Sequence, residues 1–342
     1  MINQNNPENN ILSSKSDILH AIKMLDDTKI KLILVVDDNK MLIGTITDGD
    51  IRRALIKNND LNILCENIMN PKPIFAYAND KEGLESKLEE YKIPIPIISK
   101  DSLIISICTI GTKTYNSHNN IVVIMAGGKG ERLLPLTSST PKPMLPIHNK
   151  PIIHRIVDNN KKYGFKNISI SINYKGEQLI DYFKDGKDFG VDISYLKEDK
   201  PLGTAGALSL LDHNNLTKPI ILMNGDVLTG VNVSQLLEFH QNAGKDITMC
   251  AANYNVAVPY GTIEVEGTVI TDIVEKPLKS YLVNAGIYVI NPNIIKKMKP
   301  NMKIDMTTLI NQYVSERSVS IYPLHEHWID IGSHEDYEKA QK

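Results

Sequence analysis

Cations, glycines and carboxylates that could act on phosphate gather in a few short stretches of this 342-residue chain. The densest is Ile121–Pro146, IVVIMAGGKGERLLPLTSSTPKPMLP. Its five leading apolar residues, Ile121 to Met125, read as a short buried strand that runs into a loop holding Gly127, Gly128 and Gly130. Lys129 and Arg132 lie in that loop, and Lys142 follows between two prolines. Glycines let the backbone approach a ligand closely and turn successive N–H groups into one concavity, so fixed positive charge beside them makes a polyphosphate the natural guest. An ordinary strand–turn connection is the competing reading. Neither common phosphate template fits. A P-loop needs a glycine five residues before the Gly128–Lys129 pair, and a dinucleotide turn needs one where Leu133 stands. Farther on, Asp226 follows a strand-like run in IILMNGDV, Asp330 lies in WIDIGSHEDYEKA, and Glu275–Lys276–Pro277 ends another run of strand type. Taken singly, each would serve as a cap, a turn residue or a solvated charge.

The pattern G-G-x-G-x-R-L-x-P-x-T followed by P-K-P is carried here by Gly127, Gly128, Gly130, Arg132, Leu133, Pro135, Thr137 and Pro141–Pro143. It resembles the signature loop of the sugar-1-phosphate nucleotidyltransferases. That resemblance implies in-line attack of a sugar phosphate oxygen on the α-phosphorus of an NTP, with loss of pyrophosphate. The substrate brings its own nucleophile, so the protein supplies positioning and charge. Ala126 and the loop glycines would then bind the nucleotide, Arg132 the triphosphate, and Lys142 the charge growing on the α-phosphoryl group. Asp226 and Asp330 would hold Mg²⁺, which favours a few hard oxygen ligands completed by phosphate and water. The E-K-P element would put Lys276 on the attacking phosphate and Glu275 on sugar hydroxyls. Tyr260–Gly261 and Asn284–Gly286 match sugar-side segments. His325 and His327 form an H-x-H pair without further ligands, a poor zinc signature.

In YLKEDKPLGTAGAL the resemblance implies that Gly203 makes the close approach to the base and that Glu198, five positions earlier, reads it. An ionised carboxylate only accepts hydrogen bonds, and guanine offers N1–H and N2–H₂ as adjacent donors. Uracil and thymine present one N–H between two acceptors, which suits glutamine better. GTP is therefore expected, with UTP or dTTP as alternatives. The likeness extends to CBS-fused guanylyltransferases of legionaminic-acid synthesis, which makes glucosamine 1-phosphate the first sugar to consider, ahead of mannose and heptose 1-phosphates. A binding platform built on a dead transferase domain is the non-enzymatic alternative, but such a platform need not keep Arg132, Lys142, Asp226, Lys276 and Asp330 together. A processive glycosyltransferase would need a D-x-D at a strand end in this region.

These residues need strand ends to carry them. Beyond the signature loop, helix-type spacing (Ile152, Ile153, Ile156, Val157; Leu179–Phe183; from Thr204; Leu236–His240) alternates with strand-type runs (Ile168–Ile172, Ile193–Leu196, Ile220–Met223). The expected fold is α/β, a Rossmann-like, mixed and mainly parallel sheet flanked by helices over 119–342, with ligands at the carboxyl ends of the strands.

The first third differs. Ile18, Leu19, Ile22 and Leu25 mark a helix behind a possible cap at Ser16, Leu32–Val36 and Met41–Thr47 read as strands, and Ile51, Ala54 and Leu55 open a helix. The strand text LILVVDDNKMLIGTIT finds a partner in IPIPIISKDSLIISICT about sixty residues later, after a helix marked by Leu84, Leu88 and Tyr91, so tandem modules are expected. GTITDGDIRRAL resembles a CBS motif, and two copies, about 8–60 and 61–115, would form a smaller α+β CBS pair over 1–115. The resemblance places an adenine nucleotide's ribose on Thr47 and Asp50, gives the second copy Cys108 and Gly111 at those positions, and implies homo-oligomers through the pair. Asp48–Gly49–Asp50 imitates a D-x-D element, but within the repeat. Thr112–Asn120 is the expected linker.

Bulk properties set the frame. A composition of 42% hydrophobic and 23% charged residues is that of a globular chain. Net charge is −2, from 38 basic and 40 acidic residues, which argues against nucleic acid or a membrane surface as partner. Cys65, Cys108 and Cys250 are widely spaced and lack a C-x-x-C, as expected of buried thiols in a reducing compartment. MINQNNPENN lacks signal-peptide character, so a cytoplasmic protein is expected.

Overall fold

The computed structural model describes residues 2–58, 62–91, 93–110 and 117–342. Gly111 and linker residues 112–116 lie outside them. The chain forms two compact units: Met1–Thr114 with Asn253–Leu282, and Tyr115–Ala252 with Val283–Lys342.

In the first unit the repeat is visible as register. Strand Ile11–Ser13 runs parallel to Ile33–Val36, which pairs antiparallel with Leu42–Ile46 across a bulge at Val35/Val36. Ala76–Tyr77, Ile95–Ile98 and Ile104–Ile110 repeat this arrangement, with the bulge at Ile97/Ile98. Ile33 faces Ile46, and Ile95 faces Cys108. The counterpart of Thr47 is therefore Thr109, one residue after the expected Cys108, because the two ladders keep the same offset from Ile33 and Ile95 through to Ile46 and Cys108. The helix Ile18–Asp27 buries Ile18, Ala21, Ile22 and Leu25 but leaves Leu19 exposed, and its cap is Asp17, whose carboxylate accepts from His20 N–H at 2.9 Å. Ser16 is not the cap.

The second unit is built on a seven-stranded sheet in the order Asp192–Lys197, Asn167–Ile172, Val122–Met125, Ile220–Asn224, Leu278–Ile290, Ile247–Ala257, Val319–Leu324. The first four strands are mutually parallel and Leu278–Ile290 runs against them, giving the mixed, mainly parallel sheet expected. Val122 and Ile124 face one core with the helices Ile152–Lys162, Gly176–Phe183 and Val233–Ala243, while Val123 faces the other with Pro292–Lys296 and Met306–Val314. Burial on both faces explains why these strands read as continuous apolar runs. The helix expected from Thr204 is only a 3₁₀ segment, Gly206–Leu210. Its neighbourhood is tied instead to a distant strand of chain: Ala205 N–H donates to Ile304 O at 3.0 Å, and Thr204 Oγ1 accepts from Met306 N–H at 2.8 Å.

His240 is buried between Thr248 Oγ1 (2.8 Å) and Asn291 Oδ1 (3.1 Å), and burial pushes its imidazole below the usual value of 6.5. The unfolded chain thus takes up this proton at higher pH than the folded one. Stability should be lost as pH falls through the unfolded value, by up to about 1.4 kcal/mol per pH unit per proton. His118 and His154 are shifted the same way, mainly by burial, and add to the loss. Melting temperatures measured from about pH 7.5 to about pH 5.5 should fall, and fall less steeply in His240→Gln. An unchanged slope in that variant would remove His240 from the account.

Candidate active site

The signature loop leaves the carboxyl end of Val122–Met125 and is folded tightly by local contacts. Gly130 adopts φ +66°, and a β-carbon there would stand 2.9 Å from both the Lys142 and Thr137 side chains. Thr137 Oγ1 donates to Gly130 O at 2.9 Å, closing the loop so that Arg132 and Lys142 come back beside the glycines. Its two flanks are tied down. Lys175 and Gln178 donate to the carbonyls of Ser138 (2.5 Å) and Ser139 (2.8 Å), while His334 meets Leu134 O at 2.9 Å and Tyr337 donates to Pro146 O at 2.7 Å.

The next strand end brings the carboxylates. Gly225 N–H donates to Met125 O at 2.9 Å, an approach that a side chain would forbid because its β-carbon would lie 2.5 Å from that oxygen. Asp226 follows. The short strand Val227–Thr229 pairs antiparallel with Trp328–Asp330, placing Val227 opposite Asp330, and Ile331 N–H donates to Asp226 O at 3.1 Å. Trp328 is pinned by its indole N–H to Ala285 O at 2.9 Å. The two aspartates predicted as a pair are thus brought together from residues far apart in the chain. Lys142, itself buried, forms an ion pair with Asp226 Oδ2.

Electrostatics mark this pair as unsatisfied. Burial first, and the Asp226 charge second, push the Asp330 carboxyl above the ordinary range, while Lys142 and Arg132 pull it back. Oδ1 of Asp226 and Oδ1 of Asp330 are buried and find no hydrogen-bond partner among the described residues. Orphaned carboxylate oxygens of this kind carry a cost that a hard divalent cation would remove, so the residues present fit Mg²⁺.

A cavity of about 590 Å³ opens beside Asp226, lined by Ala126, Gly127, Gly128, Gly130, Arg132, Lys142 and Asp226 among others. Gly128 has open space where a side chain would stand. Glu198 lies close by: its Oε1 would be 3.3 Å from a β-carbon on Gly127. Gly203 takes φ +81° against Ile304 and Asp305, where a β-carbon would be 2.7 Å from Ile304 O, so packing requires the glycine.

The nucleotidyl transferase family model matches residues 121–342, and the CBS domain model matches residues 7–57. The chain belongs to the nucleotidyl transferase family. It is 33% identical over 224 residues to mannose-1-phosphate guanyltransferase 2 of Candida glabrata, a match covering 63% of this chain and 62% of that protein. Among solved structures it resembles HddC from Yersinia pseudotuberculosis complexed with GMP-PN, at TM-score 0.52 and 26% identity over 65% of this chain and 98% of that one. It also resembles a UDP-glucose pyrophosphorylase complexed with UDP-glucose, at TM-score 0.50 and 25% identity over 65% of this chain and 97% of the other. The alignment thus spans about three fifths of the length of the curated relative.

The predicted sugar-side residues divide between the two units. Tyr260, Gly261, Glu275 and Lys276 lie on or beside the hairpin Thr262–Glu266 and Val269–Val274, which groups with the first unit. There Glu275 sits against Gly261, its Oε2 3.0 Å from where a β-carbon would be. Asn284 is in the second unit, and its Oδ1 accepts from Gly286 N–H (3.0 Å) and Tyr288 O–H (2.9 Å), while its amide N–H₂ has no partner among the described residues. Sequence reasoning missed Asn173, Pro201 and Gly332, which also line the cavity. Only Gly332 carried a signal, as the last residue of W-x-D-x-G.

In the first unit a second cavity, of about 370 Å³, is lined by Thr47, Asp50 and Arg53 with apolar walls including Leu32, Ile74 and Ile93. Thr47 N–H and O–H both donate to Asp50 Oδ2, at 2.8 and 2.6 Å, and Arg53 donates to Oδ1 at 2.5 Å. The T-x-x-D pair therefore caps its helix as well as facing the cavity.

Proposed function

We propose that this chain transfers a nucleotidyl group, GMP from GTP, to a sugar 1-phosphate and releases pyrophosphate. The observation that carries the reading is the convergence of a glycine loop, two cations and Asp226 around one cavity, with Asp330 brought alongside by the strand pair and one buried, orphaned oxygen on each aspartate. Loop N–H groups and Arg132 would hold the triphosphate, and Lys142 would meet the charge that builds on the α-phosphoryl group. Asp226 and Asp330 would hold Mg²⁺, which when bound supplies positive charge against the phosphates. The sugar phosphate oxygen bonds to the α-phosphorus as the bond to the bridging oxygen breaks, and pyrophosphate leaves with that electron pair. Lys276 and Glu275 are the proposed phosphate and sugar contacts, joined by Tyr260, Gly261 and Asn284.

Glu198 supports guanine, as do the name of the Candida relative and the GMP-PN in the HddC complex. For the sugar, glucosamine 1-phosphate of legionaminic-acid synthesis is the first proposal, since a carboxylate such as Glu275 suits a C2 ammonium as well as hydroxyls. Mannose 1-phosphate is supported by the relative's name, and a heptose 1-phosphate completes the set. At the first unit's cavity, Thr47 and Asp50 would take the ribose of an adenine nucleotide and Arg53 its phosphate.

The test is pyrophosphate release with Mg²⁺, crossing GTP, UTP, CTP, dTTP and ATP with these sugar phosphates. Release with GTP alone is expected. UTP or dTTP preference would discard the base reading while keeping the chemistry, and silence throughout would favour a nucleotide-binding platform. ATP or AMP added to the working pair should change the rate; no change in rate or in melting temperature would empty the first unit's cavity of that ligand.

A further inference from the structure

Along Asn167–Ile172 the isoleucines 168, 170 and 172 enter one core, and Ser169 and Ser171 alternate with them. Both serines are buried, which demands partners for their hydroxyls. Ser169 finds Ser194 Oγ on the adjoining strand at 2.8 Å. Ser171, fully buried, reaches past the end of that strand and donates to Glu198 Oε1. The other carboxylate oxygen, Oε2, accepts from Leu202 N–H at 2.9 Å, and Asn173 Nδ2 holds the Glu198 carbonyl at 2.6 Å. The backbone of Ser171 also ties in the nucleotide loop, because its carbonyl accepts from Ala126 N–H at 2.9 Å.

A glutamate side chain ordinarily has three rotatable bonds and would present its carboxylate in many directions. Here one donor on each oxygen fixes the plane of the group beside Gly127. Each oxygen keeps a further acceptor site, so the free edge offers two fixed acceptors to neighbouring donors. We propose that Ser171 is a positioning residue for base selection: by holding Glu198 Oε1, it sets the carboxylate to accept N1–H and N2–H₂ of guanine together. This rests on Glu198 being the base reader, as argued above. Leu202 N–H alone would leave the carboxylate free to pivot about Oε2, and the two acceptors would no longer meet both donors at once.

Inosine triphosphate, which is GTP without the exocyclic amine, reads the second of those bonds. The experiment compares kcat/KM for GTP and ITP in the full-length wild type and in Ser171→Ala, alongside KM for the sugar phosphate and the melting temperature. A hydrogen bond to a charged group is worth about 1.5–3 kcal/mol, so the wild type should prefer GTP by roughly 10–150-fold. Ser171→Ala should bring that ratio down by about tenfold or more while leaving the sugar phosphate KM in place. A variant that melts lower yet keeps the full wild-type ratio would show Ser171 to be structural only and overturn the proposal. If the wild type uses GTP and ITP equally, the base reading of Glu198 itself falls, and the inference with it.

Discussion

Asp226→Asn should turn over at least roughly 10²–10³ more slowly than the wild type and lose the rise in melting temperature that Mg²⁺ with GTP confers, while staying folded. The substitution keeps shape and removes charge. Two effects on stability oppose each other. The ion pair with Lys142 is lost, at a cost of about 2 kcal/mol for a hydrogen bond to a charged partner. Repulsion between Asp226 and the half-buried Asp330 is relieved at the same time, and that repulsion is one reason the Asp330 carboxyl is pushed up. The remainder is small against a usual margin of about 5–15 kcal/mol. Cation binding has no such compensation, since one of the two orphaned carboxylates is gone. Melting curves with and without Mg²⁺ and GTP, taken beside the rate, separate the effects. A variant that keeps the cation-dependent shift, or near-normal kcat, would remove Asp226 from the metal site.

What the sequence made legible was whatever a local motif must carry in its own letters. The signature loop needs Gly130 at positive φ and Thr137 to close it, so both are written into a short stretch. The aspartates were legible for a related reason: Gly225 is required by the approach to Met125 O, and the N-G-D text reports that requirement. Features fixed by distant partners were not. Gly203 meets a requirement its own stretch does not show, because its conformation answers to Ile304, about a hundred residues away in the chain. The short 3₁₀ turn at Gly206–Leu210 has the same origin, because the backbone N–H groups of Thr204 and Ala205 are satisfied by Asp305 Oδ1 and Ile304 O instead of by a helix of their own. Ser171 gave no signal, since an alternating serine on a strand reads as an edge or surface position until its partner is known. In the first unit the repeat was visible, but the equivalence of Thr47 with Thr109 rests on the cross-strand pairs Ile33–Ile46 and Ile95–Cys108, which no single strand's text states. The same holds for Asn253–Leu282. Two long strands, Ile247–Ala257 and Leu278–Ile290, are buried at the ends within the sheet and exposed at the ends that belong to this segment, a change of environment that strand periodicity cannot announce.

Arg132→Ala should lower both kcat and kcat/KM by roughly 10²–10³, with little loss of stability. The side chain is exposed on the turn Glu131–Leu133, and the turn is anchored by its neighbour Leu133, which is buried. Truncating an exposed side chain away from core packing usually changes stability by no more than about 0.5 kcal/mol. Function is another matter. The guanidinium faces the Gly332 backbone, whose missing β-carbon would stand 3.4 Å from Nη1, so the fork lies flat against that segment with the cavity beside it. It is also one of the two cations that draw the Asp330 carboxyl back towards its ionised form, so its removal weakens the cation site as well as the triphosphate clamp. Arg132→Lys separates these contributions. A lysine restores the charge but not the planar fork, so it should recover the cation-dependent melting shift while regaining only part of the rate. Equal binding of substrate and transition state would instead raise KM and spare kcat. Steady-state kinetics over GTP concentration decide between them. A kcat within a few-fold of wild type in Arg132→Ala would mean that the loop cation binds the nucleotide without taking part in the transfer.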